Sequence, residues 1–569
     1  MLLVVMVVAL TAMVARLFDV QAVHAQHYSA LSLAQSSHNV TLAAERGSVF
    51  DRNGDYLALS IPQTTIYADP RVIRAPAADA AKLAPVVGIP EATLARLLGQ
   101  HGRAFVYIKR KVDDATVSRV KALHIPGLGY APESRRFYPD GSLAGPVLGF
   151  VGTDNTGLGG LEADYQGLLR GHPGKLSSET DPSGRDIPGT VHTVTAARRG
   201  GDLVLTLDDS LQHDVEQALV AEVQQVRARG GMAVISDVST GDVLAMATVD
   251  GPSERTPARP AGAREQNAPL TTVYEPGSTN KVITVASALE TGVANENTVF
   301  TVPDSITLAK DAVFTDAEPH GVQQWTVKDI MRESSNVGAI KIAALVGKTR
   351  LDHYLRAFGF GTKTAINFPG EEAGLLLHPD DPNFTASSMG SIPIGQGIAV
   401  TPMQMLDVFS TVANGGVSRP PRLIAATIGA DGKRVDVPEM PGRRVISPLT
   451  ASAINDMLRG VVTGGTGQRA AIPGYTVAGK TGTARKPPYR PGVYMASFAG
   501  FAPAEAPRLA AIVVIDQPGP GESYYGGDIA APVFARIMSE ALTRERVPPT
   551  VDLAQPLPKV TSARSNDVP

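Results

Sequence analysis

The chain opens on its longest uncharged apolar run, Met1–Ala15, MLLVVMVVALTAMVA. At about 1.5 Å per residue, 15 residues of helix fall short of a hydrocarbon core of about 30 Å. Leu17 and Phe18 extend the span if Arg16 snorkels outward. The pattern therefore predicts a membrane anchor over residues 1–21. The alternative is a cleaved signal peptide ending near Val23-His24-Ala25. Either way the rest of the chain lies outside the cytoplasm, where ATP is scarce. A single-pass anchor with its bulk outside carries Lys/Arg on the cytoplasmic side, so that flank is expected upstream of Met1.

Residues 22–45 are polar and poorly patterned, a stalk. Glu45–Ser60, ERGSVFDRNGDYLALS, reads as strand, Asn-Gly turn, strand. From there to about 200, short strand-like and helix-like pieces alternate among many Pro and Gly, which predicts a mixed, extended domain over 22–200. The texture changes after Gly200. Leu203–Leu207 is a strand; Asp209 or Ser210 caps a helix with Leu211, Val215, Leu219, Val223 and Val226 on one face. Met232–Val249 is a hairpin around Ser239-Thr240-Gly241. These elements open a large α+β domain, expected over 201–546. The Pro-rich, aromatic-free tail 547–569 is expected to be disordered. No internal repeat is visible.

A length of 569 residues implies two or more domains. Apolar residues make up 43% and charged ones 19%, enough to fold most of the chain. A net charge of −3 gives no electrostatic footprint for nucleic acid. With no cysteine at all, thiol nucleophiles, zinc–thiolate sites and disulfides are excluded. The histidines show no metal-binding spacing, and no metal or organic cofactor is expected.

One stretch invites a nucleotide reading. In Gly474–Thr483, GYTVAGKTGT, residues Gly474, Gly479, Lys480 and Thr481 fit the phosphate-binding loop G-x-x-x-x-G-K-[ST]. That loop needs a flexible cradle followed by a helix. Here Tyr475, Thr476 and Val477 prefer strand, and Gly482 with Pro487-Pro488 breaks any helix. Tyr475–Thr483 therefore reads as one strand ending in a loop.

A serine chemistry explains the stretch better. A helix beginning at Ser278 runs through Val282, Val285 and Leu289 to Gly292. Ser278 and Lys281 then lie one turn apart on one face. A serine hydroxyl needs a base, and a lysine whose pKa is depressed by burial or nearby cations can serve. Each motif alone is weak: Ser118-Arg119-Val120-Lys121 also fits Ser-x-x-Lys, and Ser37-His38-Asn39 also fits Ser-x-Asn. The ordered set Pro276-Gly277-Ser278-x-x-Lys281, Ser334-Ser335-Asn336, Lys480-Thr481-Gly482-Thr483 within one α+β domain is specific.

On these motifs the chain resembles the class B penicillin-binding proteins, the monofunctional peptidoglycan transpeptidases. RGSVFDRNG, RRFYPDG and GLGGLE resemble that family's pedestal motifs, which singles out Arg46, Gly47, Asp51, Arg52, Gly54, Arg136, Gly141, Gly160 and Glu162. YEPGSTNK, SSNVG, GKTGTA and YYGGDIAAPVF resemble its transpeptidase motifs. The resemblance implies a serine β-lactamase-like fold, an antiparallel sheet flanked by helices, behind a dimerisation-type pedestal. It implies Ser278 as acylated nucleophile, Lys281 as its base and Ser334 as proton relay. Asn336 would hold a substrate amide. Lys480 would supply positive charge, with Thr481, Gly482 and Thr483 lining the substrate carboxylate site. Backbone N–H groups of Ser278 and Thr483 would form the oxyanion hole. The implied partners are stem peptides, β-lactam antibiotics, a membrane glycan polymerase and other division proteins. Glu162 is expected as a buried partner of a pedestal arginine, with Arg46, Asp51 and Arg52 on a turn near the membrane as the coupling element. Trp325 is expected in the core.

The E-x-x-L-N base motif of class A β-lactamases is not found. An elongation-type relative resembles PPGST and Ser-x-Asp, whereas this chain has Glu275-Pro276-Gly277-Ser278 and Ser334-Ser335-Asn336, closer to the septal type. A catalytically idle division scaffold would be told apart by penicillin labelling. No repeat domain follows Arg546, unlike sporulation-type relatives.

Overall fold

The computed structural model describes residues 1–24, 37–179, 192–252, 266–310, 312–487 and 489–550. Its first element is the helix Leu2–Phe18, carried on by a wider π-turn through Val23, with none of it buried. The combined 22 residues span about 33 Å, long enough to cross a bilayer. Arg16 does not point freely outward; it pairs with Asp19 at 2.7 Å.

The expected stalk is partly sheet. Ser37–Leu42 pairs antiparallel with Gly174–Glu179, which pairs with His192–Thr195. Beyond it lies a strand longer than the sequence suggested: Tyr56–Ala68, paired with Leu128–Phe137 along most of its length and with Val106–Val112 at its far end. Its apolar alternation is broken by Pro62 and by register shifts opposite Val106–Val112, so it reads as short pieces. The helices Pro76–Val87, Glu91–Leu98 and Asp114–Lys121 bury Leu83, Val87, Leu94, Leu98, Val117 and Val120 at that end. The rival Ser118 sits there, bonding its own helix at Asp114 O.

The hairpin at Arg46–Gly54 does not close on a two-residue turn. Its loop wraps the Asp51 carboxylate, which accepts from the Asn53 and Asp55 N–H groups at 2.7 and 2.9 Å. Val49–Phe50 then pairs in parallel with Asp202–Leu205, which pairs antiparallel with Ile424–Ile428. One seven-stranded sheet thus crosses the expected boundary at 200/201.

The second region is built on a five-stranded antiparallel sheet, ordered Val243–Asp250, Gly230–Asp237, Leu509–Asp516, Tyr494–Ala502, Ala478–Arg485. Both faces are covered. Ala511, Val513 and Ile515 pack under the helices Asp209–Gln225 and Gly526–Arg544, while Ala510, Ile512 and Val514 face the opposite core with Pro402–Ala413. That explains why AIVVI is apolar without alternation. The fold is α+β, as expected. Asp208, one residue before the expected caps, accepts from Leu211 N and caps the first of these helices.

Two expectations shift. The strand read from Tyr475 begins at Ala478, because 472–475 turns back on itself around Gly474 (φ 81°). The tail is docked at its start: Val547 is buried and accepts from Tyr475 OH at 2.6 Å, and Thr550 N bonds Gly474 O. Residues 551–569 of the expected tail lie outside the described residues. Trp325 is half-buried at the core's edge, its ring 4.8 Å from that of His320.

Candidate active site

The serine does not open an α-helix directly. Gly277–Asn280 forms a 3₁₀ turn, and the α-helix Lys281–Glu290 starts behind it. In a 3₁₀ turn residues i and i+3 eclipse, so Ser278 and Lys281 are still brought to one side. The turn is pinned from below: Gly277 N bonds Gly395 O at 2.9 Å and Asn280 Nδ2 bonds Ile392 O at 2.7 Å. Gly277 adopts φ 58°, a left-handed value that favours glycine. Ser278 is half-buried, so its hydroxyl stands at the surface of an otherwise closed turn.

The strand Ala478–Arg485 passes against this turn. A Cβ at Gly482 would lie 2.3 Å from Ser497 Oγ and 2.9 Å from Pro276 O. Only glycine lets the strand approach the serine so closely. Lys480 is wholly buried, so it has no phosphate to meet and the nucleotide reading fails on geometry. Its Nζ donates to Ser334 Oγ at 2.8 Å and to Thr481 Oγ1 at 3.2 Å. Thr481 is buried and bonded to Thr466 Oγ1 at 2.7 Å; half-buried Thr483 accepts from Gly526 N at 3.1 Å.

The second motif comes from a helix break. The helix Val327–Glu333 ends at Ser334, a non-glycine residue at φ 61°, and Asn336–Val346 begins with Ser335 as its cap. Strained backbone of this kind persists where the surroundings over-determine it. Here Lys281 Nζ donates to Ser334 O, to Asn336 Oδ1 at 2.8 Å and to Ser334 Oγ at 3.4 Å. Ser334 Oγ thus lies between two buried lysines. Lys281, Ser334, Asn336 and Lys480 meet in one hydrogen-bonded cluster, with Ser278 in the 3₁₀ turn just before Lys281 and Gly482 packed against that turn.

Two buried ammonium groups sharing one hydroxyl cannot both stay charged without cost. Burial pushes Lys281 down to about 7, against the opposing pull of Asp316. Burial, and then the charge of Lys281, push Lys480 well below the ordinary lysine range. The site therefore holds a neutral amine beside a half-buried serine near neutral pH, which is the equipment for serine acyl transfer.

The pedestal residues cluster elsewhere. Glu162 receives Arg46 Nε at 2.6 Å and Arg136 Nε at 2.7 Å, and all three are buried. Arg136 also donates to Gly47 O. Gly160 opens the short helix that carries Glu162, Gly54 closes the Asp51 loop and Gly141 lies in the turn after Arg136. The expectation that Arg46 and Asp51 are presented to a partner is overturned: both are buried. Arg46 gains four acceptor atoms inside, on Glu162, Asn155 and Gln166, and Asp51 accepts from Asp209 N at the start of a catalytic-region helix. Arg52 alone of the three keeps an exposed side chain, paired with Glu545 at 2.8 Å. Sequence reasoning missed Asp316, which touches the second motif from 18 positions upstream of Ser334, and His320, which touches Asp316. No spacing motif marks them.

Fold and site together define a serine acyl-transferase of the penicillin-recognising kind. The family model for the penicillin binding protein transpeptidase domain matches residues 231–539, and that for the penicillin-binding protein dimerisation domain matches 41–205. The penicillin-binding protein PbpB of Mycobacterium tuberculosis is 35% identical over 598 aligned positions, covering 98% of this chain and 85% of that protein. The peptidoglycan D,D-transpeptidase FtsI of Escherichia coli is 35% identical, covering 89% and 85%. The crystal structure of penicillin binding protein 3 from M. tuberculosis complexed with aztreonam superposes with a TM-score of 0.68 at 32% identity, covering 90% of this chain and 99% of that one. The chain belongs to the penicillin-binding protein transpeptidases.

Proposed function

We propose that this chain is a septal peptidoglycan D,D-transpeptidase that cross-links stem peptides through a serine acyl-enzyme and is acylated by β-lactams. The observation that carries the reading is the hydrogen-bonded cluster of Lys281, Ser334, Asn336 and Lys480, which contains a lysine with a pKa near neutrality and lies one turn from Ser278.

Neutral Lys281 takes the Ser278 proton as the Ser278 oxygen attacks the carbonyl between two D-alanines. The C–O bond forms, and the negative charge on the carbonyl oxygen meets the backbone N–H groups of Ser278 and Thr483. Collapse breaks the C–N bond. The departing D-alanine amine receives its proton through Ser334, which lies within reach of both lysines. Asn336 holds the substrate amide. Thr481 and Thr483 bind the terminal carboxylate, whose arrival beside Lys480 favours that lysine's charged form. An amine on a neighbouring stem then attacks the ester, and the same groups run in reverse. A β-lactam stops after the first step, because its amine stays attached to the ring-opened acyl group.

Fluorescent penicillin tests this directly. The wild-type chain should be labelled, with the label on the peptide containing Ser278 by mass. Ser278→Ala should abolish labelling and Ser118→Ala should leave it intact. Labelling of a folded Ser278→Ala protein would overturn the assignment.

The helix Leu2–Val23 supports a single-pass anchor in the cytoplasmic membrane with the catalytic domain outside, organised as anchor 1–21, pedestal 22–200, transpeptidase 201–546 and tail 547–569. The Glu-Pro-Gly-Ser and Ser-Ser-Asn variants support the septal role, with a membrane glycan polymerase and other division proteins as partners. Depletion should give filaments with unfinished septa; rounded cells that still divide would assign the chain to elongation.

A further inference from the structure

The carboxylate of Asp316 belongs to none of the three serine motifs, yet it holds the second one in place. It is almost fully buried, its side chain 7% exposed. Oδ1 accepts from the backbone N–H groups of Asn336 and, at 3.0 Å, Val337, the first two residues of the helix Asn336–Val346. Oδ2 accepts from Ser335 Oγ at 2.7 Å and faces His320 Nε2 at 2.9 Å. The neighbouring Thr315 O accepts from Asn336 Nδ2 at 2.8 Å, which turns Asn336 Oδ1 toward Lys281. One short segment, Thr315-Asp316, thus fixes both the backbone and the side chain of the motif, including the left-handed Ser334.

We infer that Asp316, backed by His320, is a positioning residue of the acyl-transfer site, holding Ser334 and Asn336 where they present their oxygens to Lys281. The inference rests on the acyl-transfer reading above. It has an electrostatic side as well as a geometric one. Asp316 is the anion that favours the charged form of Lys281, opposing burial. Lys480 faces the same cluster from the sheet, and its charge is coupled to Lys281. Behind Asp316 stands His320, whose Nδ1 lies 2.7 Å from Gly321 O while Nε2 meets the carboxylate, so both ring nitrogens face acceptors. That arrangement, with Asp304 further back, favours the imidazolium and raises the His320 pKa. The imidazolium in turn offsets part of the Asp316 charge felt by Lys281.

These signs give opposite expectations for two variants. Only the neutral amine accepts the Ser278 proton, so acylation rises with pH through the Lys281 titration. Asp316→Asn removes the anion, favours neutral Lys281 and should move the acid limb of acylation to lower pH. His320→Gln removes the offsetting cation and should move the limb to higher pH. Asp316→Ala, which also frees the Ser335 hydroxyl and the backbone N–H groups of Asn336 and Val337, should slow acylation on the order of 10²-fold, the scale of a misplaced catalytic group. The full-length chain is assayed with fluorescent penicillin across the neutral range, with folding checked by thermal unfolding. If Asp316→Ala does not fold, the other two variants carry the test. Labelled wild type with both limbs unshifted, or shifted in the same direction, overturns this inference alone. Absence of labelling in wild type overturns the acyl-transfer reading and this inference with it.

Discussion

Two buried clusters in this molecule are built from nearly the same parts and behave in opposite ways. In the pedestal, Arg46 and Arg136 close on one carboxylate, Glu162. Near Ser278, Lys281 and Lys480 close on one hydroxyl, Ser334. Each holds two bases away from water. The arginines keep their protons, since a guanidinium does not deprotonate in proteins, and the pairing with an anion makes that tolerable. The lysines have no anion between them, and an ammonium is easily driven to the neutral amine by burial. One cluster is a fixed strut and the other a proton acceptor. The difference lies in the choice of base and in what sits at the centre.

The largest expected effect breaks the second cluster by making it resemble the first. Lys281→Arg keeps length and charge but removes the neutral state, and acylation should fall on the order of 10² to 10⁴-fold, the usual contribution of a general base. Stopped-flow acylation checks it. The same lysine has a stability signature. Its folded pKa of about 7 lies below the ordinary 10.5, so between those values the unfolded chain binds a proton that the folded one does not. Stability should rise with pH through that window and be lost as pH falls. Lys281→Met should flatten the slope in urea unfolding followed at several pH values.

Next, Lys480→Ala should slow acylation by roughly 10²-fold, the scale of one electrostatic stabiliser. Micromolar ATP binding by the chain would contradict the buried, strand-borne lysine described here.

Breaking the pedestal cluster should do the reverse. Glu162→Gln leaves two buried guanidinium groups without their anion, at a cost of about 3–5 kcal/mol. The denaturation midpoint should drop, while penicillin labelling of the protein that remains folded stays near wild type. A loss of labelling without a loss of stability would show that the strut also serves the chemistry.

The smallest effect concerns Arg52. Its partly exposed pair with Glu545 is worth about 0–1 kcal/mol. Arg52→Glu should scarcely change stability or labelling. A division defect in cells carrying it would mark this position as the part of the motif that a partner reaches.

The residues proposed for catalysis were legible because each sits in a short local pattern: a serine one turn before a lysine, Ser334-Ser335-Asn336, and Lys480-Thr481-Gly482. Glu162 was legible as a buried partner because an isolated acid among pedestal arginines has few other uses. What stayed hidden depends on contacts distant in sequence. Asp316 acts on residues 19 to 21 positions away, through one serine hydroxyl and two backbone N–H groups that any sequence supplies. The burial of Arg46 and Asp51 reverses the usual meaning of charge on a turn, because the acceptors come from residues 155–166 and the N–H donor from Asp209. The docked start of the tail depends on Tyr475, far upstream. The helix at Ser278 was read one turn early because a 3₁₀ turn and an α-helix share the same three-residue spacing.

The sheet that joins Tyr56–Ala68, Val49–Phe50, Asp202–Leu205 and Ile424–Ile428 gives the molecule a mechanical continuity. A pull on the pedestal passes sideways from strand to strand, with no loop between to stretch. It arrives at Asp202–Leu205, just before the helix Asp209–Gln225 on one face of the catalytic sheet, and at Ile424–Ile428, a few residues after Pro402–Ala413 on the other. Load carried from the pedestal is thereby delivered to helices on both faces of the catalytic sheet. A growing wall under tension would be felt at the site as shear across hydrogen-bonded backbone, not as the swing of a hinge.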